Sequence, residues 1–153
     1  MEKHDYKNYP ELTNRQLSEF GFSSPHVQYV SDFDATVVKV YDGDTVTLTS
    51  PDRDFTFPLR LLNIDAPEMN EGGEEAKEWL TKRILGKDVK IIIDPSQRVG
   101  KYGRLLGRIF HMGMDVSEEM LQRRLVVPFG ERNANKIPDI NKIMEEGKIK
   151  SAT

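Results

Sequence analysis

The 153-residue chain has no cysteine. That excludes disulfides, thiolate catalysis, and any zinc or iron–sulfur site built on Cys. Its three histidines, His4, His26 and His111, follow no ligand spacing, so imidazole coordination is not expected either. No apolar run approaches the roughly 20 residues of a membrane span. Residues 1–30 are polar and lack the apolar stretch of a secretory leader. Such a chain is expected to be cytoplasmic as given and monomeric, with no membrane partner; secretion and a place in a larger assembly stay open. It also lacks an excess of positive charge. The formal net charge is -3, which taken alone argues against a polyanion as partner.

The net value hides an asymmetry. Residues 31–75 carry eleven acids against three bases, and residues 76–108 carry nine bases against three acids. An acidic half followed by a basic half is suited to a site that holds a cation and an anion together.

The length fits one domain of 31–153 preceded by an N-terminal extension of 1–30. In the extension, Thr13 and Gln16 have the spacing of a capping box, which predicts a short helix over 14–20 ended by Gly21. This segment carries no chemical motif, and docking a protein partner is one role open to it.

Residues 35–49 give the strongest β signal. Two β-branched runs flank Asp42-Gly43, a hairpin dipeptide. Alternation puts Asp44, Val46 and Leu48 on one face, so Asp44 is expected to point inward at the rim, where it needs a cation or several donors. A third strand is read over 55–64, with Arg60, Leu62 and Ile64 sharing a face. Ala76, Trp79, Leu80 and Ile84 form the apolar stripe of a helix over 74–85, closed by Gly86. Strands over 89–93 and 104–111 follow. Asp115 and Glu118 open a second helix, and Pro138 starts a last one. Three strands, a helix, two strands and further helices is the element order of an OB barrel. The fold class is therefore α+β, a five-stranded OB-fold barrel with about three helices.

Three clusters carry chemistry: Asp42-Gly43-Asp44-Thr45, the stretch from Arg60 through Asp65-Ala66-Pro67-Glu68, and Lys101-Tyr102-Gly103-Arg104. Each alone reads as a turn or strand end with solvated charges. Together they supply what phosphodiester hydrolysis needs. Asp44 and Asp65 offer the hard oxygens that Ca²⁺ or Mg²⁺ prefers. Arg60 and Arg104 can clamp phosphoryl oxygens as charge builds on them. Glu68 is the remaining carboxylate candidate, one that can orient or deprotonate water.

These motifs, in this order and spacing, resemble the staphylococcal (micrococcal) nuclease family from about residue 35 to residue 127. The resemblance implies a calcium-dependent nuclease acting on DNA and RNA with little sequence specificity. Water attack would leave 3′-phosphate ends. One Ca²⁺ would be held by Asp44, Asp65 and the carbonyl of Ala66, with Asp42 and Thr45 behind them. Arg60, Glu68 and Arg104 would be catalytic, and Lys101 and Tyr102 would contact a terminal phosphate. Two departures stand out: the family's lysine-rich loop after Pro-Glu is short here and contains Glu71, and its base-stacking tyrosines have only Phe129 in their place. The alternative reading is a catalytically weak or inactive OB module that binds nucleic acid or a partner protein.

Overall fold

The computed structural model describes residues 5, 6, 8–20 and 24–130. Five strands close into a barrel. β1 (Phe33–Asp42), β2 (Thr45–Thr49) and β3 (Phe57–Leu61) form an antiparallel meander. After β4 (Ile64–Asp65) and helix α2 (Gly73–Ile84), β5 (Asp88–Ile92) returns antiparallel to β1, and β6 (Leu105–His111) pairs with β5. The barrel closes where β6 runs parallel to β3, with Leu59 opposite Leu105 and Leu61 opposite Gly107. This is the expected five-stranded OB barrel, and it carries three helices among the described residues.

Helix α1 (Asn14–Phe20) precedes the barrel, and its capping box is reciprocal: the Thr13 N–H donates to Gln16 Oε1 at 3.0 Å and the Gln16 N–H to Thr13 Oγ1 at 3.2 Å. Helix α3 (Val116–Gln122) follows β7 (Met114–Asp115), and Asp115 caps it by accepting from the Ser117 and Glu118 N–H groups. Because Asp115 also holds Arg108, Asp115→Ala is expected to cost about 1–2 kcal/mol, read as a shift of the denaturant midpoint at constant m. The helix expected near Pro138 lies outside the described residues.

Alternation explains the core with two corrections. On β1, Phe33, Ala35 and Val37 face inward, but a bulge between Val37 and Lys39 shifts the phase, so that Val40 and not Lys39 is the next buried residue. The third strand is shorter than expected. β3 ends at Leu61, and the chain turns at Leu62-Asn63, with Asn63 at φ 71°. Phe57, Leu59 and Leu61 therefore face the core, and Arg60 faces outward. Ile64 returns to the core on the separate strand β4, which pairs with β8 (Val127–Pro128). Arg60, Leu62 and Ile64 do not share a face, because the left-handed residue between them breaks the two-residue period.

Helix α2 packs on β1 through Ala76, Leu80 and Ile84, all fully buried. Trp79 on the same stripe is only partly buried, and the Arg123 guanidinium lies 5.5 Å from its ring. Arg123 is thus a ring contact and not simply a solvated helix-end charge.

The N-terminal segment is packed on the barrel. Leu12 is fully buried. Glu11 grips the guanidinium of Arg53 at 2.5 and 2.9 Å. Tyr29 stacks on Phe33, 3.6 Å between ring centroids, and its hydroxyl bonds Ser50. None of the described helices is long and apolar enough to cross a membrane.

Candidate active site

The β1–β2 turn, the end of β3 with β4, the hairpin before β6 and the chain after β8 meet at one cleft of about 580 Å³. Its walls include Asp42, Asp44, Arg60, Asp65, Lys101, Tyr102, Arg104 and Phe129. A larger open groove of about 710 Å³ lies on another face beside His111 and Met112, away from these residues.

Asp44 is only 6% exposed, which matches the inward position expected from alternation. Its carboxylate is held from three sides. Thr45 Oγ1 donates to Oδ1 at 3.0 Å, the Ala66 N–H donates to Oδ2 at 2.8 Å, and Arg60 Nη2 stands 3.5 Å from Oδ2. The same Arg60 nitrogen donates to Asp65 Oδ1 at 2.6 Å, and Asp65 Oδ2 accepts from the Gly130 N–H at 2.8 Å. Arg60 Nη1 donates to the carbonyls of Leu61 and Ile64 at 2.7 and 2.8 Å. The guanidinium is thereby fixed by the very turn that breaks the third strand. From the far wall, Arg104 Nη1 donates to Thr45 Oγ1 at 3.3 Å. An unbroken chain of contacts thus joins Arg104, Thr45, Asp44, Arg60 and Asp65.

Burial pushes the Asp42 carboxyl up to about 6, and its hydrogen bond with Asp44 and the charge of Asp44 add to that. Asp44 goes the other way. Burial would raise it, but the hydrogen bond from Asp42, the Ala66 N–H, Arg60 and Thr45 together hold it below the usual carboxylate range.

The donor set suits a hard cation. The four carboxylate oxygens of Asp44 and Asp65 are hard donors, and each of the two Asp65 oxygens has one hydrogen-bond partner and can accept a second. Among the described residues, no three His, Cys, Asp or Glu side chains form a metal-holding group, so a cation here would complete its shell with carbonyl and water oxygens, as Ca²⁺ and Mg²⁺ do.

The turn that carries Asp44 has little slack. A Cβ on Gly43 would lie 2.8 Å from the Ala76 Cβ of α2 and 3.0 Å from the Ala66 Cβ. Gly43→Ala must push those residues apart and loosen the Ala66–Asp44 bond. It is expected to cost about 1–3 kcal/mol, read as a lowered denaturant midpoint.

The structure brings most of the expected residues together. Lys101 and Tyr102 lie across the cleft, with Lys101 Nζ 5.4 Å from the Tyr102 ring. Thr45 and Ala66 are buried behind the carboxylates. Glu68 is the exception: it is exposed, one residue past Pro67, and is not among the residues that line the cleft. Phe129 is 69% exposed, with the Arg60 guanidinium 5.8 Å from its ring, so a second exposed aromatic faces Tyr102 across the site. The role of Gly130 has no signal in the sequence, since the N–H that holds Asp65 comes from 65 residues downstream.

Residues 58–151 match the sequence model of the staphylococcal nuclease homologue family. The chain belongs to this family. Family members similar to it include a "Probable endonuclease" of Komagataella phaffii, 36% identical over 90 residues, which are 52% of this chain and 38% of that protein. A protein named "Micrococcal nuclease" from Shigella flexneri is 32% identical over 81 residues, 52% of this chain and 44% of its own length. An uncharacterized protein of Bacillus anthracis is 28% identical over 121 residues, 73% of this chain and 56% of that protein. The chain thus covers well under two thirds of the length of each of these relatives.

Proposed function

We propose that the chain is a nuclease that hydrolyses phosphodiester bonds of DNA and RNA with low sequence specificity, using one Ca²⁺ and leaving 3′-phosphate ends. The observation that carries this reading is the convergence of two guanidiniums, Arg60 and Arg104, with two buried carboxylates, Asp44 and Asp65, on one cleft. Membership of a family whose relatives are named as nucleases supports it.

Asp44, Asp65 and the carbonyl of Ala66 would hold the ion, which when bound supplies Lewis-acid polarisation of a phosphoryl oxygen. Arg60 and Arg104 flank the position of the scissile phosphate and bind its oxygens as negative charge grows on them. Glu68 orients the attacking water and takes its proton. Lys101 and Tyr102 bind a terminal phosphate, and Phe129 offers its exposed face to a base.

The test is incubation of the purified protein with single- and double-stranded DNA and RNA, with Ca²⁺ and then with EDTA, followed by end-group analysis. Ca²⁺-dependent cleavage to 3′-phosphate ends is expected. Arg104→Ala is expected to lower kcat by about 10²–10³. Retained Ca²⁺ binding with no cleavage at high protein concentration would instead favour an OB module that binds nucleic acid without cutting it. Most of the positive charge on residues 76–108 lies outside the cleft walls, so substrate affinity is expected to fall only shallowly with salt. A slope of about two to four on a log–log plot would match the few cations at the site.

A further inference from the structure

We infer that the segment before the barrel sets the geometry of the cleft, with Arg98 and Asn14 acting as positioning residues for the hairpin that carries Lys101, Tyr102 and Arg104. This rests on the reading of that hairpin as the phosphate-binding wall.

The hairpin is small. Its stem is tied by the Leu106 N–H to the Arg98 carbonyl and the Gly100 N–H to the Arg104 carbonyl, both at 2.8 Å, with Val99 bridged to Leu105. Beyond these rungs the tip is closed by the Gly103 N–H on the Gly100 carbonyl at 3.0 Å, and Lys101 and Tyr102 are exposed. A tip of this kind takes its position from its stem.

The stem is held from outside the barrel. Arg98 is only 3% exposed. Its guanidinium donates to the Tyr29 carbonyl at 2.7 Å, to the Leu12 carbonyl at 2.9 Å and to Asn14 Oδ1 at 3.1 Å. All three acceptors precede the barrel. The other end of the Asn14 amide donates to the Pro95 carbonyl at 2.9 Å. One side-chain amide therefore ties both residue 95 and residue 98, on the approach to the hairpin. The ring of Tyr9 lies against the tip itself, 3.4 Å from where a Cβ on Gly103 would stand.

The chemistry of Arg98 argues for orientation over bulk stability. It is a buried cation whose direct partners are neutral oxygens, while the nearby carboxylate of Glu11 is gripped bidentately by Arg53. If only adhesion were needed, an apolar side chain would serve at lower desolvation cost. A rigid guanidinium fork supplies direction, since its three bonds fix the stem in angle as well as distance. At the far end of the stem, the Arg104 guanidinium must reach Thr45 and the phosphate beside Asp44, where a displacement of about 1 Å is enough to cost substantial activity.

The test compares the full chain with Asn14→Ala and Arg98→Lys. Asn14 is exposed, so its loss leaves the core intact, and Arg98→Lys keeps the charge but cannot make the fork. Amide hydrogen exchange without Ca²⁺ is expected to accelerate in residues 99–104 on the order of threefold to tenfold in Asn14→Ala, the range one ordinary hydrogen bond allows. Acceleration should be greater in Arg98→Lys, while β1–β3 exchange as in the parent protein. With Ca²⁺ and a short single-stranded oligonucleotide, kcat/KM for Asn14→Ala is expected to fall by a similar factor of about three to ten, with kcat sharing in the loss because Arg104 is carried by the hairpin.

Unchanged exchange in residues 99–104 in both variants overturns the inference. So does exchange that rises equally across the barrel together with a fallen Tm, because that marks a merely structural role. A loosened hairpin with unchanged kcat/KM overturns the link to the cleft. If the parent protein cleaves nothing, the nuclease reading fails on its own, and hydrogen exchange still decides whether Asn14 and Arg98 hold the hairpin.

Discussion

Arg60→Ala is expected to lower kcat by about 10²–10³, the usual loss when one preorganised donor to a developing oxyanion is removed. A second effect accompanies it. Arg60 bonds two backbone carbonyls and contacts the carboxylates of Asp44 and Asp65. Its removal leaves those two half-occupied acidic groups facing each other in a poorly solvated wall. The Ca²⁺-free protein should therefore lose stability, by about 3 kcal/mol if the broken pair behaves as a buried one. On the proposed function, saturating Ca²⁺ should restore much of that loss, because an ion held by Asp44 and Asp65 would bind only the folded state and would replace the missing positive charge. Thermal unfolding of the variant with and without Ca²⁺ measures this directly. Arg60→Lys is expected to recover stability better than rate, since an ammonium supplies charge without the planar fork. A variant with near-normal turnover, or a Tm indifferent to Ca²⁺, would remove Arg60 from the role assigned to it.

The largest purely structural effect is expected at Glu11. The Glu11 and Arg53 side chains are 2% and 0% exposed. The guanidinium also donates to the Val27 carbonyl and lies 4.5 Å from the ring centroids of both Tyr29 and Phe57. Glu11→Ala leaves Arg53 buried without its counter-charge, and with the second buried cation, Arg98, close by. The expected cost is about 3–5 kcal/mol, which for a domain of this size lowers Tm by about 10 °C or more. The double variant Glu11→Ala/Arg53→Met should recover most of it, because an apolar replacement removes the stranded charge instead of exposing it. A Tm within about 2 °C of the parent for Glu11→Ala would show that the pair contributes little beyond what a surface pair does. The prediction also bears on the segment before the barrel. If Glu11 anchors it, Glu11→Ala should loosen the Arg98 contacts as well, and hydrogen exchange in residues 98–104 should follow.

Much of the architecture was legible in the chain itself. The hairpin at Asp42-Gly43, the apolar stripe of α2, the capping box of Thr13 with Gln16 and the Asp115 cap of α3 are local signals, set by residues within a few positions of each other, and each appears in the structure. The order of strands and helices was enough to indicate an OB barrel, because five strands interrupted by one helix after the third is the element order of that fold. Asp44 was legible as an inward carboxylate from the alternation of its strand, whereas Asp65 was singled out by its motif and not by its direction. The bulge in β1 and the left turn at Asn63 were not legible. Each shifts the two-residue period by one step, and a sequence pattern records the period without recording where it slips.

By itself, then, the sequence determined which chemical groups are available, and in which short segments: oxygens for a hard cation, two guanidiniums for a phosphate, and no thiol to compete. Only the tertiary structure decided which of them act on one another. The hold of Gly130 on Asp65, of Arg104 on Thr45 and of Arg98 on Leu12, Asn14 and Tyr29 joins residues that lie 59 to 86 positions apart. Contacts of that span carry no local periodicity, because they come into being only when the barrel closes through the parallel pairing of β3 with β6. That closure brings Asp42, Asp44 and Asp65 from the acidic half of the chain to one cleft with Lys101 and Arg104 from the basic half.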